Sequence, residues 1–87
     1  MIGKQLLRSA TSVAANYRAA CRARSTNEFY SKICIVIEES DESLFWIEML
    51  SDAQIVKHEM LTNLLQESEE ILKIMVSIRN KYKQFIK

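Results

Sequence analysis

No proline interrupts this chain and its single glycine stands at position 3, so almost nothing in the sequence enforces a tight turn. A chain with so little punctuation favours long helices. Its 87 residues allow one domain with a thin core, because a chain this small leaves about 40% of its unfolded surface exposed after folding. A content of 48% hydrophobic and 26% charged residues is a globular composition.

The longest uninterrupted apolar run is Ile33-Cys34-Ile35-Val36-Ile37. It falls far short of the roughly 20 residues a membrane-spanning helix requires. Lys4 and Arg8 break any hydrophobic region of a secretory signal, so the expected address is the cytoplasm. In that reducing compartment Cys21 and Cys34 read as small buried hydrophobes rather than a disulfide.

Three helices follow from the apolar spacing, over about residues 2–23, 26–52 and 57–86. In the first, Leu6, Ala10, Val13, Tyr17 and Ala20 repeat at steps of four and three, which predicts the buried face. Beside them runs a small-residue stripe, Ser9, Ser12, Asn16, Ala19 and Ala23, which lets a neighbouring backbone come close. Ser25 and Glu28 have the S-x-x-E spacing of a capping box and mark the start of the second helix.

The second helix carries Phe29, Ile33, Val36, Ile37, Ser40, Leu44, Ile47 and Leu50 on its main face, widened by Tyr30, Cys34, Ile35, Phe45, Trp46 and Met49. A helix this apolar is covered on more than one side. Residues 51–57 break the periodicity and predict the second turn. In the third helix Leu61, Leu64, Ser68, Ile71, Met75, Ile78, Tyr82 and Phe85 follow a/d spacing, with Leu65 and Leu72 thickening the stripe. Short connections make neighbours antiparallel, giving an all-α, up-down-up bundle. That topology offsets Cys34 from Cys21 by about 8 Å along the axis, too far for an unstrained bridge.

Net charge runs +5 over residues 1–32, −9 over 33–70 and +5 over 71–87. The same topology gathers Arg18, Arg22, Arg24, Lys32, Arg79, Lys81, Lys83 and Lys87 at one pole. Such a cluster fits phosphate, because neutralising phosphates releases counterions. It also fits the preference of helix C-termini for cations, and both readings stand at this point.

No catalytic constellation emerges. Glu38, Glu39, Asp41 and Glu42 form an acidic knot, but no Glu-x-x-His motif accompanies it, and His58-Glu59-Met60-Leu61-Thr62 lacks the second histidine of a zinc-protease motif. No metal, cofactor or small-molecule substrate is expected. Trp46 with Phe45 reads either as a stacking platform for a base or as core or subunit interface. Asn16 reads as a polar residue that fixes helix register or as part of an exposed face.

The stretch Gln5-Leu6-Leu7-Arg8-Ser9-Ala10-Thr11-Ser12-Val13-Ala14-Ala15-Asn16-Tyr17-Arg18-Ala19-Ala20, with Arg22-Ala23-Arg24-Ser25, Glu28-Phe29 and Glu38-Glu39-Ser40-Asp41-Glu42, resembles the bacterial four-helix-bundle family encoded in intervening sequences of 23S rRNA genes. The resemblance implies an antiparallel bundle that assembles into a ring, commonly a homopentamer, without enzymatic activity. A related branch, the accessory protein of diversity-generating retroelements, uses a basic surface to engage nucleic acid. Arg8, Ser9, Ser12, Asn16, Arg24, Phe29, Glu38 and Glu42 fall on the family's characteristic positions and are expected to be architectural.

Relative to the family, Ala14 stands where glycine is frequent. The three helices correspond to the last three of four, so the resemblance implies an apolar surface left for another subunit. The expected function is therefore a homo-oligomeric, non-enzymatic module that binds RNA, DNA or a nucleoprotein through the basic pole. Helix packing and subunit contacts are assigned to Ser9, Ser12, Asn16, Ala19, Phe29, Phe45 and Trp46. The alternative is a purely structural or protein-binding module.

Overall fold

The computed structural model describes residues 1–53 and 57–86, leaving Lys87 and part of the expected second turn outside the described residues. The side chain of His58 lies outside them too. The described residues form three helices and no strand: α1 (Ile2–Cys21), α2 (Thr26–Asp52) and α3 (His58–Lys83). The α1 and α3 helices stop two and three residues before the ends the periodicity predicts, the usual imprecision at frayed termini.

The first turn is built by the capping residues. Ser25 is extended, with φ −148° and ψ 162°, and its Oγ accepts from the Glu28 N–H at 3.0 Å. Glu28 reaches back, and its Oε2 accepts from the Arg24 N–H at 3.4 Å, one residue before the position a standard capping box uses. α1 closes with the Arg22 and Ala23 amides donating to the Ala19 and Ala20 carbonyls, both at 3.1 Å, so the turn needs no glycine.

Helix α2 is central: α1 and α3 both pack against it and do not approach each other. Its buried residues Ile33, Val36 and Ile47, with Leu61 of α3 and Ala20 of α1, form the core. Each large aliphatic side chain buried there contributes about 1.5–3 kcal/mol. The Cα extents, 45 × 21 × 16 Å, are those of three side-by-side helices, the longest of about 40 Å.

The buried face of α1 takes in the small-residue stripe and part of the apolar one: Ser9 and Ala20 are buried and Leu6, Ser12, Val13, Asn16 and Ala19 half-buried, whereas Ala10 and Tyr17, expected on the buried side, are exposed. Small side chains allow the two backbones to approach, and that close contact outweighs the larger apolar area available a third of a turn away. On α3 the predicted stripe is turned inward only in part: Leu61 is buried and Ser68, Met75, Ile78 and Tyr82 are half-buried, as are Leu65 and Leu72 beside them, but Leu64, Ile71 and Phe85 are exposed. Cys21 is exposed, against expectation, and Cys34 is half-buried; both are free thiols.

The α1–α2 contact is pinned by hydroxyls. Ser43 Oγ donates to Ser9 Oγ at 3.0 Å, and Ser9 Oγ donates to the Leu6 carbonyl at 3.1 Å. The Glu39 carbonyl, 2.9 Å from Ser43 Oγ, is an alternative acceptor for the same proton. Asn16, by contrast, donates to the carbonyl and Oγ of Ser12 within its own helix, at 2.9 and 3.2 Å, so it does not bridge helices. Replacing Ser9 by leucine should separate α1 from α2 and cost about 1–3 kcal/mol in urea unfolding. Ser9→Ala should stay within about 1 kcal/mol, since Ser43 retains the Glu39 carbonyl.

Candidate nucleic-acid interface

The antiparallel order sets the pole. Ser9 pairs with Ser43, and the rings of Phe29 and Tyr82 lie 5.0 Å apart, so the end of α1, the start of α2 and the end of α3 lie at one pole. Arg18, Arg22, Arg24, Lys81 and Lys83 are exposed there, and Lys32 and Arg79 are half-buried. Among the described residues, the half of the molecule formed by 13–40 and 71–86 carries eight basic and three acidic side chains, net +5. The other half, 1–12 with 41–53 and 57–70, carries three basic and eight acidic, net −5.

Aromatic rings interleave with these cations. A shallow cleft at the pole is lined by Ala23, Arg24, Ser25, Thr26, Phe29 and Tyr82. Phe85 adds a third ring, its centroid 6.1 Å from that of Tyr82, and is exposed. Sequence spacing places Tyr82 and Phe85 in the core stripe and so misses this cluster; the signal is that two aromatics end a helix whose last turn holds Lys81 and Lys83.

The other aromatic pair belongs elsewhere. Phe45 and Trp46 meet edge-on at 5.0 Å, with Phe45 exposed and Trp46 half-buried. The Trp46 indole N–H donates to Glu42 at 3.3 Å, which sets the pair among carboxylates, a poor neighbourhood for phosphate. The acidic knot is tied back to α1: Arg8 forms ion pairs with Glu42 and, at 3.6 Å, with Glu39. Among the described residues no group of three or more His, Cys, Asp or Glu side chains could hold a metal ion. No helix formed by them is long and apolar enough to cross a membrane.

An all-α, antiparallel chain with a basic, aromatic pole and an acidic opposite end is thus defined. Residues 1–77 match the 23S rRNA-intervening sequence protein family, and the chain belongs to that family. It is similar to a crystal structure of a protein of unknown function from the S23 ribosomal protein family of Bacteroides thetaiotaomicron VPI-5482, with 35% identity and a TM-score of 0.86. That similarity covers 91% of this chain and 73% of the other. No curated protein matches.

The Arg8 clasp gives a pH signature. Its hydrogen bond to Glu42 holds that carboxyl below the ordinary glutamate range, the Trp46 N–H adds to the effect, and the guanidinium is correspondingly raised. Because the folded carboxylate is the weaker base, its stabilisation is complete above the ordinary glutamate pKa and is lost as pH falls through the lower folded value. Arg8→Met should therefore lower the urea midpoint at neutral pH, and its difference from wild type should shrink as pH falls below the ordinary glutamate pKa.

Proposed function

We propose that the chain is a non-enzymatic, homo-oligomeric helical module of the cytoplasm that binds nucleic acid, or a nucleoprotein, through its basic pole. The observation that carries this reading is the cleft in which Arg24 adjoins Phe29 and Tyr82, with Phe85 beside them and Arg22, Lys81 and Lys83 at the same end. Cations supply attraction to phosphate and aromatic faces supply stacking for unpaired bases, the combination used on single strands and loops. A ring of five is the assembly that the family resemblance implies.

The second reading, a purely structural or protein-binding module without a nucleic-acid role, draws on a different observation: Leu7, Leu64, Ile71 and Ile74 stand exposed on α1 and α3.

A labelled structured RNA titrated with the protein and followed by anisotropy separates the two. The expected result is submicromolar binding at low salt that weakens steeply toward physiological salt. The combined reversal Arg22→Glu, Arg24→Glu, Lys81→Glu and Lys83→Glu should abolish it with helical content retained, and unchanged binding would remove the pole as the site. Phe85→Ala should cost roughly fivefold or more in affinity while leaving the salt slope intact, because stacking releases no counterions.

A further inference from the structure

The three rings at the pole stand at angles to one another. Phe29 and Tyr82 lie 5.0 Å apart and Tyr82 and Phe85 6.1 Å apart, each pair inclined at 56°. No base can enter between either pair, because two stacking distances of about 3.4 Å each exceed both gaps. Only an outward ring face is open to a base. Consecutive bases of a stacked strand are parallel, so rings inclined at 56° cannot take two of them at once. These rings therefore suit one base that has left the stack of its neighbours. The size of the cleft agrees. Its volume is about 260 Å³, against about 150 Å³ for a cavity that holds one benzene ring, which is room for one two-ring base and not for two bases.

The edge of the cleft offers hydrogen-bond donors. The main-chain N–H of Arg24 donates to Glu28 at 3.4 Å, while among the described residues its guanidinium forms no ion pair or hydrogen bond. Ser25 Oγ accepts from the Glu28 N–H at 3.0 Å, which leaves its own proton to donate, and Thr26 adds an exposed hydroxyl. Among the described residues no carboxylate lines the cleft. A guanidinium fork matches O6 and N7 of guanine, which are both acceptors, whereas adenine sets an amino group beside N7 and cytosine presents an amino group of its own. Uracil offers an acceptor but only a single ring to stack. In an A-form duplex the O6 and N7 edge lies in a deep, narrow groove that side chains do not reach, so the guanine has to be unpaired.

We infer that the cleft captures one unpaired guanine of an RNA strand, with its face on the rings and its O6 and N7 edge on Arg24. The flanking phosphates lie against Arg22 at the end of α1 and against Lys81 and Lys83 at the end of α3, which stand apart because those two helices do not approach each other. The capture presupposes the nucleic-acid binding proposed above and adds which nucleotide is selected.

Three RNA hairpins test it, identical except for a single bulged guanine, a single bulged adenine or no bulge, each titrated by anisotropy at one salt concentration. The bulged guanine should bind roughly tenfold tighter than the fully paired hairpin and about fivefold or more tighter than the bulged adenine. Arg24→Lys keeps the charge and loses the fork, so it should bring the bulged guanine down to the level of the bulged adenine, with unchanged helix by circular dichroism. Guanosine monophosphate at the concentration of the hairpin should fail to displace it, since it brings a single phosphate. Equal, steeply salt-dependent binding of all three hairpins would overturn the capture and leave the basic pole standing, whereas binding of none would remove both. A bulged adenine as tight as the guanine, or a preference that survives Arg24→Lys, would also overturn it. So would displacement by the mononucleotide, which would make the cleft a site for free nucleotides instead.

Discussion

The close approach of α1 to α2 is the constraint from which the remaining architecture follows. Serines and alanines give little hydrophobic area, so this contact relies on proximity and on polar pinning: the Ser43–Ser9 hydroxyl pair inside, and the Arg8 bridge to Glu39 and Glu42 at the edge. Both bonds join residues 34 apart in sequence, so they enforce one register between the helices. A shift by one turn breaks the hydroxyl pair and the ion pair together. With that register fixed, the end of α1 falls beside the start of α2 and the basic residues of both meet the end of α3.

Turning the small stripe toward α2 also decides what is left outside. A helix has one best face, and α1 spends it on Ser9, Ser12, Asn16 and Ala20. Leu7, Ala10 and Tyr17 are then displaced to the flank. The rotation of α3 toward Leu65 and Leu72 leaves Leu64, Ile71 and Ile74 exposed on the corresponding flank. These exposed apolar flanks are thus a consequence of how the pairs pack, not an unrelated surface feature. Exposed apolar residues in a contiguous groove mark an interaction surface more often than a bare exterior.

These rotations also explain which parts of the molecule could be read from the sequence. Helix type and order were legible because a period near 3.6 with no proline and a single glycine at position 3 admits little else, and the Ser25–Glu28 cap declared its own turn. The basic pole was legible for the same reason, since topology alone gathers its residues. Periodicity, however, reports hydrophobicity around a helix and not the distance between two backbones. It therefore favoured Ala10 and Tyr17 over Ser9, and it placed Phe85 inside when it stands outside. Asn16 misled for a related reason: an amide within reach of its own helix's carbonyl four residues back needs no partner across the interface.

Under the proposed homo-oligomeric reading the basic half of the molecule has two partners to serve. Phosphate and the acidic half of a neighbouring copy would both draw on Arg22, Lys81 and Lys83, and charge neutralised by one is unavailable to the other. Binding free energies at linked sites are reciprocal, so if pairing weakens nucleic-acid binding by some factor, nucleic acid weakens pairing by the same factor. The exposed apolar flank and the aromatic cleft are not shared in this way, as Ile71 lies mid-helix and Tyr82 at the end. Such a coupling would be electrostatic in origin and would fade with rising salt, leaving contact between apolar flanks as the part of the proposed assembly that persists.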